Sequence, residues 1–145
     1  HGGYLLAALA AIAAAQPLRM SLTAHPAPSA HAAADSAASD FSWMVAFANA
    51  PAYGGGMRIA PRAVLDDGIL DVCRIRRAPR LRLLRCLYRL YSGRHLALPE
   101  VDYFQVTSLR LETAAPQDVY ADGEFVGRTP VEVGVAPRAL RVITP

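Results

Sequence analysis

Tyr53-Gly-Gly-Gly-Met-Arg-Ile-Ala-Pro-Arg-Ala-Val-Leu-Asp-Asp-Gly-Ile-Leu-Asp-Val72 places a triple glycine, a proline and a double aspartate ahead of an apolar run. No regular helix or strand carries that composition. Gly54, Gly55 and Gly56 open backbone conformations that other residues resist. Asp66-Asp67-Gly68 is turn chemistry, and it gathers carboxylate and carbonyl oxygens in one place. A segment that gives up so much local regularity is expected to shape a site, with a plain connecting loop as the alternative.

Outward from this stretch the chain reads mainly as strands. Leu70–Ile75 follows the turn as a strand, and the aromatic, Val-rich Phe41–Ala48 precedes the glycines as another. Leu18–Thr23 alternates apolar and polar residues, which predicts a short strand. Residues 24–40 are low in complexity, and a flexible loop is expected there. Residues 3–15 read as a helix stopped before Pro17. The clearest helix covers about 79–92, with Pro79 in its first turn and Gly93 just past its end. At about 100° per residue, Leu83, Leu84, Leu87, Leu90 and Tyr91 share one face, and Arg82, Arg85 and Arg89 take the opposite one. Beyond Pro99, strands are expected at 104–106, 109–113, 119–121, 125–126, 131–135 and 140–143. Asp122-Gly123 between two of them is a hairpin signal. Many short strands with two helices predict a mainly β fold, an antiparallel sandwich or barrel-like domain.

The 145 residues suffice for a single domain, 1–145, with a core of its own. The apolar content of 53% excludes a disordered chain. A net charge of +3 is too mild to imply nucleic acid, and no nucleic-acid partner is expected. Cys73 and Cys86 lack zinc or redox spacing, and the four histidines do not cluster as ligands. A reducing, cytoplasmic compartment is the default. Tyr4–Ala15 is apolar but too short to span a bilayer; a buried helix is expected over a signal segment. The chain opens on His1, which suggests a piece of something longer.

Tyr53-Gly-Gly-Gly-Met-Arg-Ile-Ala-Pro, Leu65-Asp-Asp-Gly-Ile-Leu-Asp-Val, Asp122-Gly-Glu124 and Pro137-Arg-Ala-Leu-Arg-Val142, in that order and spacing, resemble the diacylglycerol kinase catalytic family. That family includes bacterial soluble lipid kinases, sphingosine kinases and ceramide kinases. The resemblance runs from about residue 3 to the end and covers only the family's C-terminal domain. A Gly-Gly-Asp-Gly-Thr nucleotide loop, the mark of the family's N-terminal ATP-binding domain, occurs nowhere in the chain. The resemblance therefore implies the lipid-substrate half of an ATP-dependent kinase, a part of phospholipid biosynthesis that is inactive on its own.

The resemblance also implies site residues. A structural Mg²⁺ is expected at the Leu65-Asp-Asp-Gly turn, held by the Val64 carbonyl, an Asp67 carboxylate oxygen, the Ile69 carbonyl and waters; hard oxygen donors suit that ion. The alternative is a metal-free turn in which Asp66 or Asp67 bonds its own backbone. Glu124 matches the position of the family's general base, with Asp122 as second candidate, at the rim of an interdomain cleft. The alternative is a solvated hairpin tip. The triple glycine is expected to serve close packing or a lipid-facing loop, since no helix follows to make a phosphate cradle. Where the family favours Gly-Asn-Gly-Pro, this chain has Ala48-Asn49-Ala50-Pro51.

Eight arginines lie between Arg74 and Arg94, and no acidic residue falls between Asp71 and Glu100. This reads either as a peripheral surface for anionic lipid at the inner membrane face, or as a solvated face paired with the absent domain. The expected partners are a lipid substrate, a membrane surface, the N-terminal domain and a possible second copy of the chain. The competing function is a non-catalytic lipid- or membrane-binding β module. The opening His-Gly-Gly-Tyr-Leu-Leu also resembles the start of a hot-dog thioesterase helix, over about ten residues.

Overall fold

The structure, a computed structural model, describes residue 10 and residues 12–26, 37–137 and 139. The expected 3–15 helix falls largely outside the described residues, as do the middle of the 24–40 loop and the 140–143 strand; residues 12–14 are helical.

Seven strands form among the described residues: β1 (Leu18–Pro26), β2 (Ala37–Ala48), β3 (Leu70–Arg76), β4 (Val101–Thr113), β5 (Asp118–Ala121), β6 (Glu124–Arg128) and β7 (Val131–Gly134). One helix, α1 (Arg80–Leu90), and a 3-10 turn (Arg94–Ala97) separate β3 from β4. All strand pairings are antiparallel. The main sheet runs β1-β2-β3-β4-β7, and β1 also pairs with β4, so the sheet closes on itself like a barrel. β5 and β6 form a separate two-stranded ribbon.

Two expectations change here. The low-complexity region is shorter at both ends, because β1 continues to Pro26 and β2 starts at Ala37. Their ladder joins Leu18↔Ser42 through Thr23↔Ala37, so pairing overrides composition. The separate strands expected at 104–106 and 109–113 are one strand, β4. Its length serves closure. Residues 101–106 pair with β3, residues 106–113 pair with β1, and residues 108–111 pair with β7.

β3 is buried on both faces. Leu70 and Val72 point into the barrel with Met20, Leu22, Ala24, Val106, Leu109 and Leu111. Cys73 and Ile75 point outward, under Leu83, Cys86 and Leu90 of α1 and against Ile59, Ala60, Ala63, Leu98 and Val101. Burial pushes the two free thiols up, Cys73 to about 12 and Cys86 to about 11, so both act as small apolar groups.

α1 begins just after Pro79, and Gly93 adopts a left-handed φ of 69° beyond its end, as the sequence predicts. The buried face is rotated from the expected one. Leu83, Cys86 and Leu90 are inside, while Leu84 and Tyr91 are exposed. The loop before β3 clamps the far end of the helix: Arg58 N–H donates to the Leu90 carbonyl at 3.1 Å. His95, fully buried, donates Nε2–H to the Ile59 carbonyl at 3.0 Å, and its Nδ1 has no partner among the described residues.

Desolvation holds the His95 imidazole below its ordinary value of 6.5, outweighing the opposing hydrogen bond. The unfolded chain therefore takes up a proton as pH falls through about 6.5 while the native state does not. The stability involved is present above that pH and lost below it. His95→Leu, which orphans the Ile59 carbonyl, is expected to cost about 1–3 kcal/mol at pH 7.5. Urea unfolding at pH 7.5 and 5.5 should show a smaller acid loss in the variant than in the wild type; equal losses would rule out His95 as the source.

Candidate functional site

The Asp67 turn is held from three sides. Asn49 Nδ2 donates to the Leu65 carbonyl at 3.2 Å. Asp67 Oδ1 accepts the Ile69 N–H at 2.9 Å, which is the bond of the metal-free turn. Gly68 has φ of 73°, and a Cβ on it would lie 3.0 Å from Pro137 Cγ, so the segment after β7 lies close over the turn. Val64, Leu65, Asp66 and Asp67 are exposed.

Behind the turn stands a group the sequence analysis did not select. Asp71, fully buried on β3, accepts from Tyr103 Oη at 2.7 Å and Gln105 Nε2 at 3.2 Å, both through Oδ1. Its Oδ2 is buried with no partner among the described residues. Burial raises the carboxyl above its ordinary value; the hydrogen bonds from Tyr103 and Gln105 oppose this, the Asp67 charge adds to it, and Arg62 counters it. The Tyr103 hydroxyl is pushed well up by burial and by Asp71. The Arg62 guanidinium lies 5.8 Å from the centroid of the Tyr103 ring. The available signal was a carboxylate inside an apolar strand, which is costly to bury without a task. Tyr103, Gln105 and Arg62 carried no signal, because only the β3–β4 register and the loop path bring them to Asp71.

These donors suit a hard cation. The Asp67 carboxylate, the Val64 and Ile69 carbonyls and the orphaned Asp71 Oδ2 are all oxygens, and Mg²⁺ accepts few protein ligands plus water. No cluster of three or more His, Cys, Asp or Glu side chains with metal-holding geometry occurs among the described residues, so carbonyls and water would have to supply much of the shell.

The triple glycine is a tight loop. Tyr53 and Met57 exchange backbone hydrogen bonds of 3.0 Å each, and Gly54, Gly55 and Gly56 have φ of 48°, 76° and 92°. A Cβ on Gly55 or Gly56 would meet nothing within 4 Å, so the expected close packing is absent at those two positions. Conformation, and not space, requires glycine there.

Asp122 and Glu124 sit at the end of the β5–β6 ribbon. Asp122 (φ 50°) and Gly123 (φ 90°) form a two-residue left-handed turn between the paired Ala121 and Glu124, matching the hairpin signal. Tyr120 and Phe125 meet edge to face at 6.0 Å. The ribbon is anchored at its base, where Gln117 and Thr129 exchange hydrogen bonds of 2.9 Å and Thr129 Oγ1 bonds the Thr113 hydroxyl. Asp122 and Glu124 are exposed. Neither lines the polar cavity of about 240 Å³ bounded by Asp40, Arg76, Arg77, Arg82 and Glu100. No hydrogen bond or ion pair among the described residues joins them to the Asp67 turn. The chain thus carries two acidic elements on one β scaffold without bringing them into contact.

A closed antiparallel barrel with a separate acidic ribbon and an oxygen-rich turn defines a β-rich domain. Residues 2–144 match the model of the YegS C-terminal NAD kinase beta sandwich-like domain, and the chain belongs to that family. It is a lipid kinase-like C-terminal domain. A diacylglycerol kinase of Mycobacterium tuberculosis (strain ATCC 25618 / H37Rv) is 36% identical over 99 residues, which are 68% of this chain and 32% of that protein. Human sphingosine kinase 2 is 33% identical over 103 residues, 68% of this chain and 15% of that protein. A crystal structure of a diacylglycerol kinase from Bacillus anthracis str. Sterne superposes with a TM-score of 0.61 at 15% identity, over 90% of this chain and 44% of the other. The chain thus spans about a third of the mycobacterial relative, and the structural likeness establishes the fold.

Gly68→Ala forces a side chain into the left-handed region and against Pro137. It is expected to cost about 1–2 kcal/mol in urea unfolding. A variant as stable as the wild type would show that the turn is not pinned as described.

Proposed function

We propose that this chain is the lipid-substrate domain of an ATP-dependent kinase that phosphorylates a hydroxyl of diacylglycerol or a related lipid. The observation that carries the reading is Glu124: within a family whose named relatives here include lipid kinases, it directly follows a left-handed turn, exposed, with no hydrogen bond or ion pair to its side chain among the described residues. A carboxylate held in that way can accept a proton from a lipid hydroxyl as the oxygen attacks the γ-phosphorus of ATP. The nucleotide is bound by residues outside these 145. Asp122 supplies the turn more than the chemistry, since Asp and Asn tolerate its conformation. Mg²⁺ at the Asp67 turn is part of the same proposal. It would neutralise the turn's carboxylates and fix the loop between Asn49 and Pro137, with the Asp67 carboxylate and the Val64 and Ile69 carbonyls as holders.

The decisive assay is transfer of radiolabelled phosphate from ATP to a panel of lipid alcohols, using the longer protein that carries a nucleotide-binding half. Glu124→Gln should lower kcat by about 10²–10⁴-fold with little change in KM. Asp122→Asn should keep most of the turnover. A Glu124→Gln protein with wild-type kcat would remove Glu124 from the mechanism.

The metal is tested separately, without catalysis. Adding Mg²⁺ should raise the melting temperature of the wild-type chain and not that of Asp67→Asn. An equal response in both, or none in the wild type, would exclude the site.

A further inference from the structure

α1 leaves a second apolar face uncovered. Leu81, Leu84, Tyr88 and Tyr91 recur at i, i+3, i+7 and i+10 and form one stripe about 15 Å long. They are 79%, 38%, 84% and 45% exposed. Burying Leu83, Cys86 and Leu90 uses the opposite side of the helix, so packing does not explain the stripe. Surface helices normally present charge outward, and a continuous apolar stripe facing solvent marks a contact surface.

The charge around it identifies the contact. Arg85 and Arg89 border the stripe, and neither forms an ion pair among the described residues. Four of the other nearby arginines are engaged. Arg80 donates to the Ile12 and Ala15 carbonyls and stacks on Trp43, Arg77 stacks on Phe41, and Arg76 and Arg82 face Asp102 and Glu100. No acidic residue lies on α1 or anywhere from residue 72 to 99. A second copy docked on the same stripe would bring Arg85 and Arg89 against their own like charges. An anionic, apolar-cored surface has the complementary chemistry. Two leucines would enter the acyl boundary, two tyrosines would place their hydroxyls at the headgroups, and the guanidinium groups would meet lipid phosphates.

We infer that the outward face of α1, with Leu81 and Tyr88 at its centre and Arg85 and Arg89 at its edge, is the surface by which this chain docks on an anionic phospholipid bilayer. The docking needs no phosphoryl transfer, so its failure leaves the kinase reading standing, and the reverse holds too.

The test is sedimentation of the 145-residue chain with vesicles of phosphatidylcholine alone or mixed equally with phosphatidylglycerol. Binding is expected on the mixed vesicles, weakening steeply with salt. Leu81→Ser with Tyr88→Ser should lower the partition coefficient about tenfold or more, and Arg85→Gln with Arg89→Gln should abolish the preference for anionic vesicles. Tyr120→Ser on the β5–β6 ribbon, also exposed, should change nothing. A Tyr88→Trp variant should show a blue shift in emission on mixed vesicles only. Equal binding by the Leu81/Tyr88 variant, no binding by the wild type, or a dimer in sedimentation velocity that this variant dissociates would each overturn the inference.

Discussion

Everything in this fold leans on β3 being buried on both faces. Its inward side chains, Leu70 and Val72, close the barrel, and its outward ones, Cys73 and Ile75, carry α1. A seven-residue strand thereby ties two cores together, and both collapse against the same backbone ladder. Fully buried apolar side chains contribute about 1.5–3 kcal/mol each, so this strand concentrates stabilisation where a polar intruder would be most damaging. The two intruders it carries are both satisfied in part. Arg74 donates Nε to Ser42 at 2.7 Å, and Asp71 accepts from Tyr103 and Gln105.

That placement links the fold to the site. The Asp67 turn immediately precedes β3, so the strand's rigidity fixes the direction in which the turn projects. Asp71 is the least comfortable group on that strand. It is buried, burial raises its carboxyl above the ordinary value with the Asp67 charge adding to the rise, and its Oδ2 has no partner among the described residues. A buried carboxylate with one oxygen unpaired costs more than a well-packed apolar residue of similar size would.

The ribbon follows a different logic. Among the described residues it shares no ladder with the barrel, and it is held at its base by Gln117, Thr113 and Thr129. Its acids and its Tyr120, Phe125 and Val126 are all exposed. A two-residue left-handed turn is stiff, and the β5–β6 ladder pairs Glu124 with Ala121, so the ribbon holds Glu124 in place although its side chain forms no hydrogen bond or ion pair among the described residues. The uncovered stripe of α1 is likewise defined by a rigid element.

Local chemistry was legible in the residues alone. The Asp122-Gly123 hairpin, the helix between Pro79 and Gly93, the glycine loop and the Asp66-Asp67-Gly68 turn follow from backbone conformations that few residue types tolerate, and the mainly β class follows from the many short apolar runs. The family resemblance was legible too, since it rests on the order of those same short segments. What needed the tertiary structure was every relation between distant segments. Composition could not show that β4 is one strand, because its continuity is set by three different partners along its length. Periodicity placed the leucines of α1 on a wheel but not the direction of the core, so Leu84 and Tyr91 were assigned to the wrong side. Asp71 met Tyr103 and Gln105 only through a strand register. A sequence encodes preferences one neighbourhood at a time, whereas register and closure are decided by which pairings bury both faces of β3 at once.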